Sequence, residues 1–157
     1  MTFEEYVKER LFMPAGMTNS GFAGTLETAM PHNDDNEFFG GSDLMQYPFS
    51  VTYSSGGIIS TVDDLSLWLD AYFSSKLFPE SLLERINAQK TRTRNYDYGW
   101  NRDIEWSHGG YLPGFHSVIS YDQENETRII LLSNFDIDEA IFNSFVSEIK
   151  AILRNGV

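Results

Sequence analysis

After the basic segment KTRTR at residues 90–94 the spacing of apolar residues changes from helical to alternating, and it stays so to Ser133. Tyr98 to Trp100, Ile104 to Trp106, His116 to Tyr121 and Arg128 to Ser133 read as strands, and DQENET reads as a polar hairpin turn between the last two. Helical patterns flank this block. Thr2 and Glu5 form a capping-box pattern for a helix to about Phe12, with Phe3, Tyr6, Val7 and Leu11 on one face and Pro14 and Gly16 ending it. Ser60 or Thr61 caps a second helix whose Leu65, Trp68, Leu69 and Tyr72 form an apolar stripe, with Asp63 and Asp64 in its first turn where the helix dipole favours anions. Pro79 opens a third, carrying Leu82, Leu83 and Ile86. A closing helix from about Asp138 to Arg154 places Phe142, Phe145, Ile149 and Ile152 on its buried face. Helices first, then consecutive strands, then a helix: this segregation predicts an α+β fold in which an antiparallel β-sheet is flanked by helices. Residues 1–157 read as a single domain segment. Gly21 to Ser50 reads as a long ordered loop, of a length that is usually functional or wraps something.

Composition removes several function classes. A net charge of −12 repels phosphate backbones, so no nucleic-acid partner is expected. With no cysteine there is no disulfide, thiolate nucleophile or cysteine-held zinc. No apolar run approaches the roughly 18 residues a membrane helix needs, and MTFEEYVKER lacks the apolar region of a signal peptide. Any signal of an exported parent would lie outside this chain. His32, His108 and His116 show no H-x-x-x-H spacing, and HNDDNE at 32–37 lacks the glycine and alternation of a calcium loop, so neither metal nor cofactor is expected. The elbow G-x-S-x-G is absent. The one S-x-x-K, Ser147 to Lys150, lies in mid-helix and reads as two solvated side chains.

The stretch SHGGYLPGF, Ser107 to Phe115, is different in kind. Gly109 and Gly110 follow an alternating segment, and glycine weakens a strand, so it needs a reason there. One reason is close approach of a ligand to the main chain. His108 would stand at the strand edge, an extended substrate would pair beside it, and the backbone N–H of Tyr111 would point at a developing oxyanion. The other is a glycine-eased turn with a surface histidine. Spacing alone leaves both open.

Several segments taken together resemble one family, the serine β-lactamase and penicillin-binding-protein-like hydrolases, nearest the class C β-lactamase and esterase branch. FEEYVKERLFMPAGMTNSGF resembles its F-x-E-Y helix and following turn. SSGGIISTVDDLSLWLDAYF resembles its G-G-x-x-S-T-x-x-D-L helix entry. DYGWNRDIEWSHGGYLPGFHSVISYDQENETRIILLSN resembles its Y-G-x-G-W and H-x-G strands, G-F turn, hairpin and L-S-N strand end. The resemblance implies the C-terminal part of a β-lactamase/transpeptidase-like fold and makes SHGGYLPGF the third active-site motif, elsewhere K-T-G. By position His108 then replaces the lysine, Gly109 the threonine and Gly110 the glycine, and the Tyr111 N–H supplies half of the oxyanion hole. His108 and Tyr111 are thus the implied catalytic residues, and His108, Gly109, Gly110 and Tyr111 the implied substrate-binding set. A histidine donates a hydrogen bond but is mostly neutral at pH 7, whereas lysine is a fixed cation, which favours peptidase or esterase chemistry over potent β-lactamase activity.

The family's nucleophilic S-x-x-K and its Y-x-N or S-x-N motif precede the helix that opens this chain, and Y-x-N and S-x-N occur nowhere here. The resemblance therefore implies a C-terminal fragment of a bacterial serine hydrolase, inactive alone. Its implied partners are the missing N-terminal half, a small ester, amide or peptide substrate, and a second copy through an uncovered sheet edge. Its implied setting is extracytoplasmic or at the cell envelope. A non-catalytic peptide-binding module or a pseudoenzyme is the alternative.

Overall fold

The computed structural model describes residues 1–22, 24–33, 52–88, 96–102 and 104–155. The KTRTR segment, most of the 21–50 loop and Asp34 to Glu37 of HNDDNE lie outside them.

The opening helix begins as its cap foretells. Thr2 Oγ1 accepts from the Glu5 N–H at 3.2 Å, and Glu5 Oε2 accepts from the Thr2 N–H at 2.8 Å. α1 (Phe3–Val7) runs through a π-helical stretch (Lys8–Phe12) into α2 (Met13–Ala15) and stops at Gly16, whose φ of 89° is the left-handed cap that glycine adopts freely. Two expectations change. The helix passes Pro14, which lies in the first turn of α2, where a missing N–H is tolerated. The π-helical stretch also alters the period, so Val7, Phe12 and Ala15 are buried while Tyr6 is exposed.

β1 (Gly21–Phe22) and β2 (Ile58–Ile59) form a small antiparallel pair that leads into α3 (Val62–Phe73), capped by Thr61. α3 is the wall between two apolar clusters. Ala71 joins Val7, Phe12, Ala15 and Met17 on one side. Leu69 and Tyr72 join Trp100 on the other, against Trp106, Ile119, Tyr121 and Ile130 of the large sheet. α4 (Glu80–Ala88) buries Ile86, whose carbonyl accepts from Arg102.

The large sheet is antiparallel, in the order β3 (Tyr96–Asp97), β4 (Trp100–Arg102), β5 (Trp106–Leu112), β6 (Phe115–Asp122), β7 (Thr127–Ser133). The architecture is α+β, with α3 on one face and α5 (Glu139–Asn155) on the other. Tyr98 to Trp100 is not one strand. Tyr98 (φ 52°) and Gly99 (φ 82°) form a two-residue turn, and positive φ at both central positions is what a tight hairpin between twisted strands requires. Ile104 stays outside the sheet and is exposed. DQENET is the expected hairpin connection, organised by Asp122, which accepts from the Glu124 and Asn125 N–H groups and from the Asn125 side chain.

α5 departs most from expectation. Phe142 and Val146 are buried, but Phe145 is 54% exposed and Ile152 59%. At about 100° per residue, Ile141, Ile152, Phe145, Ile149, Phe142 and Val146 fill a continuous apolar arc of about 140°. The sheet covers only the half that holds Phe142, Val146 and Ile149.

Candidate active-site strand

The segment that drew attention in the sequence lies in β5 and the turn after it. Pro113 and Gly114 (φ 79°) close a two-residue hairpin between Leu112 and Phe115. A two-residue loop makes its flanking pair exchange both backbone hydrogen bonds, and the bonding direction then alternates along each strand. Leu112, Gly110 and His108 therefore direct their N–H and C=O toward β6. Ser107, Gly109 and Tyr111 direct theirs to the opposite edge. β4 uses that edge at Trp106 and Ser107, and its pairing stops there.

Side chains alternate as well. Trp106 packs in the α3-side cluster, so His108 and Gly110 share that face. His108 is exposed, and its Nδ1 lies 3.2 Å from the Tyr96 hydroxyl across the β3–β4 hairpin. Tyr111 is on the α5 face. Its ring meets that of His116 at 4.7 Å, and its hydroxyl donates to Asp136 Oδ1 at 3.2 Å. The two expected catalytic residues thus send their side chains to opposite faces of the strand. Only the main chain of Tyr111 can act on the edge that His108 borders.

The two glycines differ. A Cβ at Gly110 would come within 2.8 Å of Ser117 Oγ, so a side chain there requires that hydroxyl to move. At Gly109 the nearest atom is Ser117 O at 3.5 Å, an ordinary contact, so packing alone does not demand glycine there.

Sequence reasoning missed Tyr96, Asp136 and His116. Tyr96 becomes visible once Tyr98–Gly99 is read as a two-residue turn, which sets Tyr96 beside Asn101 and Asn101 beside Ser107. His116 is 4% exposed, its ring is 5.0 Å from Phe142, and its Nε2 is 3.9 Å from Asp136 Oδ1. The S-x-x-K pair is occupied elsewhere: Ser147 Oγ donates to the Asn143 carbonyl at 2.7 Å, and Lys150 pairs with Glu105. Among the described residues, no three His, Asp or Glu side chains lie close enough to hold a metal ion, and no helix is long and apolar enough to cross a membrane.

Comparison with known proteins gives the frame for this geometry. PbpX of Bacillus subtilis (strain 168), named as a penicillin-binding protein, is 28% identical over 137 residues, covering 84% of this chain and 34% of the relative. A penicillin-binding protein from Bacillus halodurans superposes with a TM-score of 0.67 at 19% identity, over 95% of this chain and 50% of that one. D-amino acid amidase from Ochrobactrum anthropi SV3, in complex with D-phenylalanine, gives 0.62 at 21% identity, over 95% and 54%. The chain thus spans between a third and about half of the length of these relatives. A family model for beta-lactamases matches residues 1–143, which include both capped helices and the whole β5–β7 meander: the chain belongs to the beta-lactamase family.

Proposed function

We propose that this chain is the C-terminal part of a serine hydrolase of the penicillin-binding-protein, D-peptidase or esterase type, and that β5 is one wall of its active site. The observation that carries the reading is the outward direction of the Gly109 and Tyr111 backbone groups on the strand edge that β4 leaves after Ser107. An extended ester, amide or peptide substrate lies along that edge and exchanges backbone hydrogen bonds with Gly109. The Tyr111 N–H is directed at the carbonyl oxygen as it gains charge in the tetrahedral intermediate. His108, oriented by Tyr96, offers Nε2 to the substrate's polar end. The hydrogen bond leaves one ring nitrogen for the tyrosine and the other for the ligand. The nucleophilic serine, its lysine and the second motif come from polypeptide outside these 157 residues, so the chain alone does not turn over.

The test is reconstitution. The upstream half of the parent gene is made separately, mixed with this chain, and assayed on a nitrophenyl ester. Neither half alone should show turnover, the mixture should, and His108→Ala should lower kcat/KM by about 10- to 100-fold. Turnover by the 157 residues alone, or a mixture indifferent to His108→Ala, counts against the proposal. A mixture that binds peptide without hydrolysing ester would support the peptide-binding alternative instead.

A further inference from the structure

An oxyanion donor works only if it is held to within about 0.5 Å of its place, and the chain around Tyr111 is soft. β4 pairs with β5 at Trp106 and Ser107 and no further, and two glycines then carry the strand to Tyr111. Glycine has no side chain to pack and the largest backbone freedom of any residue. The first side chain after the glycines is that of Tyr111, and it is anchored on the α5 face, away from the edge where substrate lies.

The Tyr111 ring lies 4.7 Å from that of His116, which lies in turn 5.0 Å from that of Phe142 in α5. The Tyr111 hydroxyl donates to Asp136 Oδ1 at 3.2 Å, in the connection between β7 and α5. One side chain thus ties β5 to the far end of β7, across the row formed by Tyr111, His116 and Ser133. Asp136 is itself fixed. Its N–H donates to the His32 carbonyl at 2.8 Å, and the His32 N–H donates to the Asn134 carbonyl at 2.9 Å. The Asn134 amide donates to the Met30 carbonyl at 2.7 Å, and Asp138, two residues after Asp136, accepts from the Ala140 and Ile141 N–H groups at the start of α5.

His116 makes this more than a surface tie. It is buried, and its Nε2 has no hydrogen-bond partner among the described residues. That nitrogen lies 3.9 Å from Asp136 Oδ1, the same oxygen that holds Tyr111. A buried polar atom left without a partner is costly, and an apolar ring would fill the space without that cost. With its proton on Nε2 the imidazole aims a second donor at the carboxylate.

We infer that Asp136 is a positioning residue for the oxyanion donor: it holds the Tyr111 phenol, braced against the His116 ring, and so fixes the Tyr111 N–H at the edge of β5. The inference rests on the catalytic reading of β5 and adds to it the group that makes the donor rigid. Asp136 acts through Tyr111 and not on the substrate. Charge gathers on the carbonyl oxygen in the transition state, so a loosened N–H lowers kcat and spares KM.

Tyr111→Phe removes the hydroxyl from a ring that is 57% exposed, and keeps the backbone N–H and the ring contact with His116. In the reconstituted mixture, on the nitrophenyl ester, Tyr111→Phe and Asp136→Ala should each lower kcat about 10- to 100-fold with KM within about two-fold, less than the loss of an oxyanion donor outright. The double variant should be no slower than the slower single one, because both break one bond. Asp136→Asn, whose amide oxygen still accepts from the phenol, should recover most of the rate. In the 157-residue chain alone, backbone amide relaxation should give the Tyr111 N–H an order parameter near the rigid value of about 0.85, falling below about 0.6 in Tyr111→Phe and in Asp136→Ala. Should Asp136→Ala not fold, Tyr111→Phe and Asp136→Asn carry the test. Rates indifferent to these variants in a mixture that still needs His108 overturn this inference and leave the reading of β5 standing. So does a loss carried by KM, a double variant that multiplies the single losses, or an order parameter that does not change. A mixture that never turns over defeats the reading of β5, and this inference with it.

Discussion

Asp64 offers the sharpest test of how the helical half is held. It lies in the first turn of α3, is 2% exposed, and accepts from the Asn19 N–H at 2.8 Å and the Ser20 hydroxyl at 2.7 Å. Ser20 Oγ is also 2.8 Å from Ser60 Oγ, so one carboxylate ties the turn after α2 to the entry of α3 across more than forty residues. Asp64→Ala removes the acceptor of a part-buried backbone N–H and of a buried hydroxyl together. A hydrogen bond to a charged acceptor is worth about 1.5–3 kcal/mol, and losing two with the favourable helix-dipole position should cost roughly 3–5 kcal/mol. Asp63, its exposed neighbour in the same turn, is the control, and Asp63→Ala should stay within about 0.5 kcal/mol. Urea unfolding followed by tryptophan fluorescence and circular dichroism measures both. A double-mutant cycle with Ser20→Ala should return a coupling of about 1–2 kcal/mol. An Asp64→Ala cost below about 1 kcal/mol, or no coupling to Ser20, would refute the account of Asp64 as the joint between these segments.

Two further outcomes follow from single side chains. Burial pushes the Tyr72 phenol above its usual pKa, with a hydrogen bond to Trp100 and the nearby Arg102 charge pulling partly back. Above about pH 10 the unfolded chain therefore ionises while the folded one does not, so stability falls as pH rises toward the folded value. Tyr72→Phe should flatten that alkaline slope in urea midpoints measured between about pH 8 and 11, and an unchanged slope rejects the assignment. Gly110→Ala should cost about 1–2 kcal/mol by overpacking against Ser117 Oγ, and Gly110→Ala with Ser117→Ala should recover most of it; a clash that survives removal of the hydroxyl would place the strain elsewhere.

What was legible in the sequence was whatever chemistry acts within a few residues. Thr2 and Glu5, Thr61 and the DQENET turn do what their local patterns say. The misreadings arise where the deciding partner is distant. Tyr98 sits at positive φ, a conformation that Asn-Gly would have advertised and Tyr-Gly conceals, so a turn passed for a strand. The α5 pattern fixes which residues form one apolar arc but not how much of that arc the sheet reaches, and Phe145 and Ile152 fall on the uncovered side. Asp64 was visible as a first-turn acid. Its burial depends on Asn19 and Ser20, 45 and 44 residues earlier, and no periodicity carries that information. At β5 the glycines were visible as a break in the side-chain pattern, whereas the separation of His108 and Tyr111 onto opposite faces needed the register.

That register has a single local origin whose reach is wide. Because Pro113 and Gly114 leave just two residues between Leu112 and Phe115, the closing pair must bond to itself, and every later assignment is forced. Gly109 and Tyr111 face outward at one margin, and Arg128, Ile130 and Leu132 at the other. A loop one residue longer would turn the same side chains to the opposite faces and the same N–H groups to the opposite edges. The bonding direction at the outer edge of β5 and that at the outer edge of β7 are thus two consequences of one turn. A substitution that disturbs Pro113 or Gly114 must alter both, while one at Gly109 or Leu132 alters its own margin and leaves the other intact.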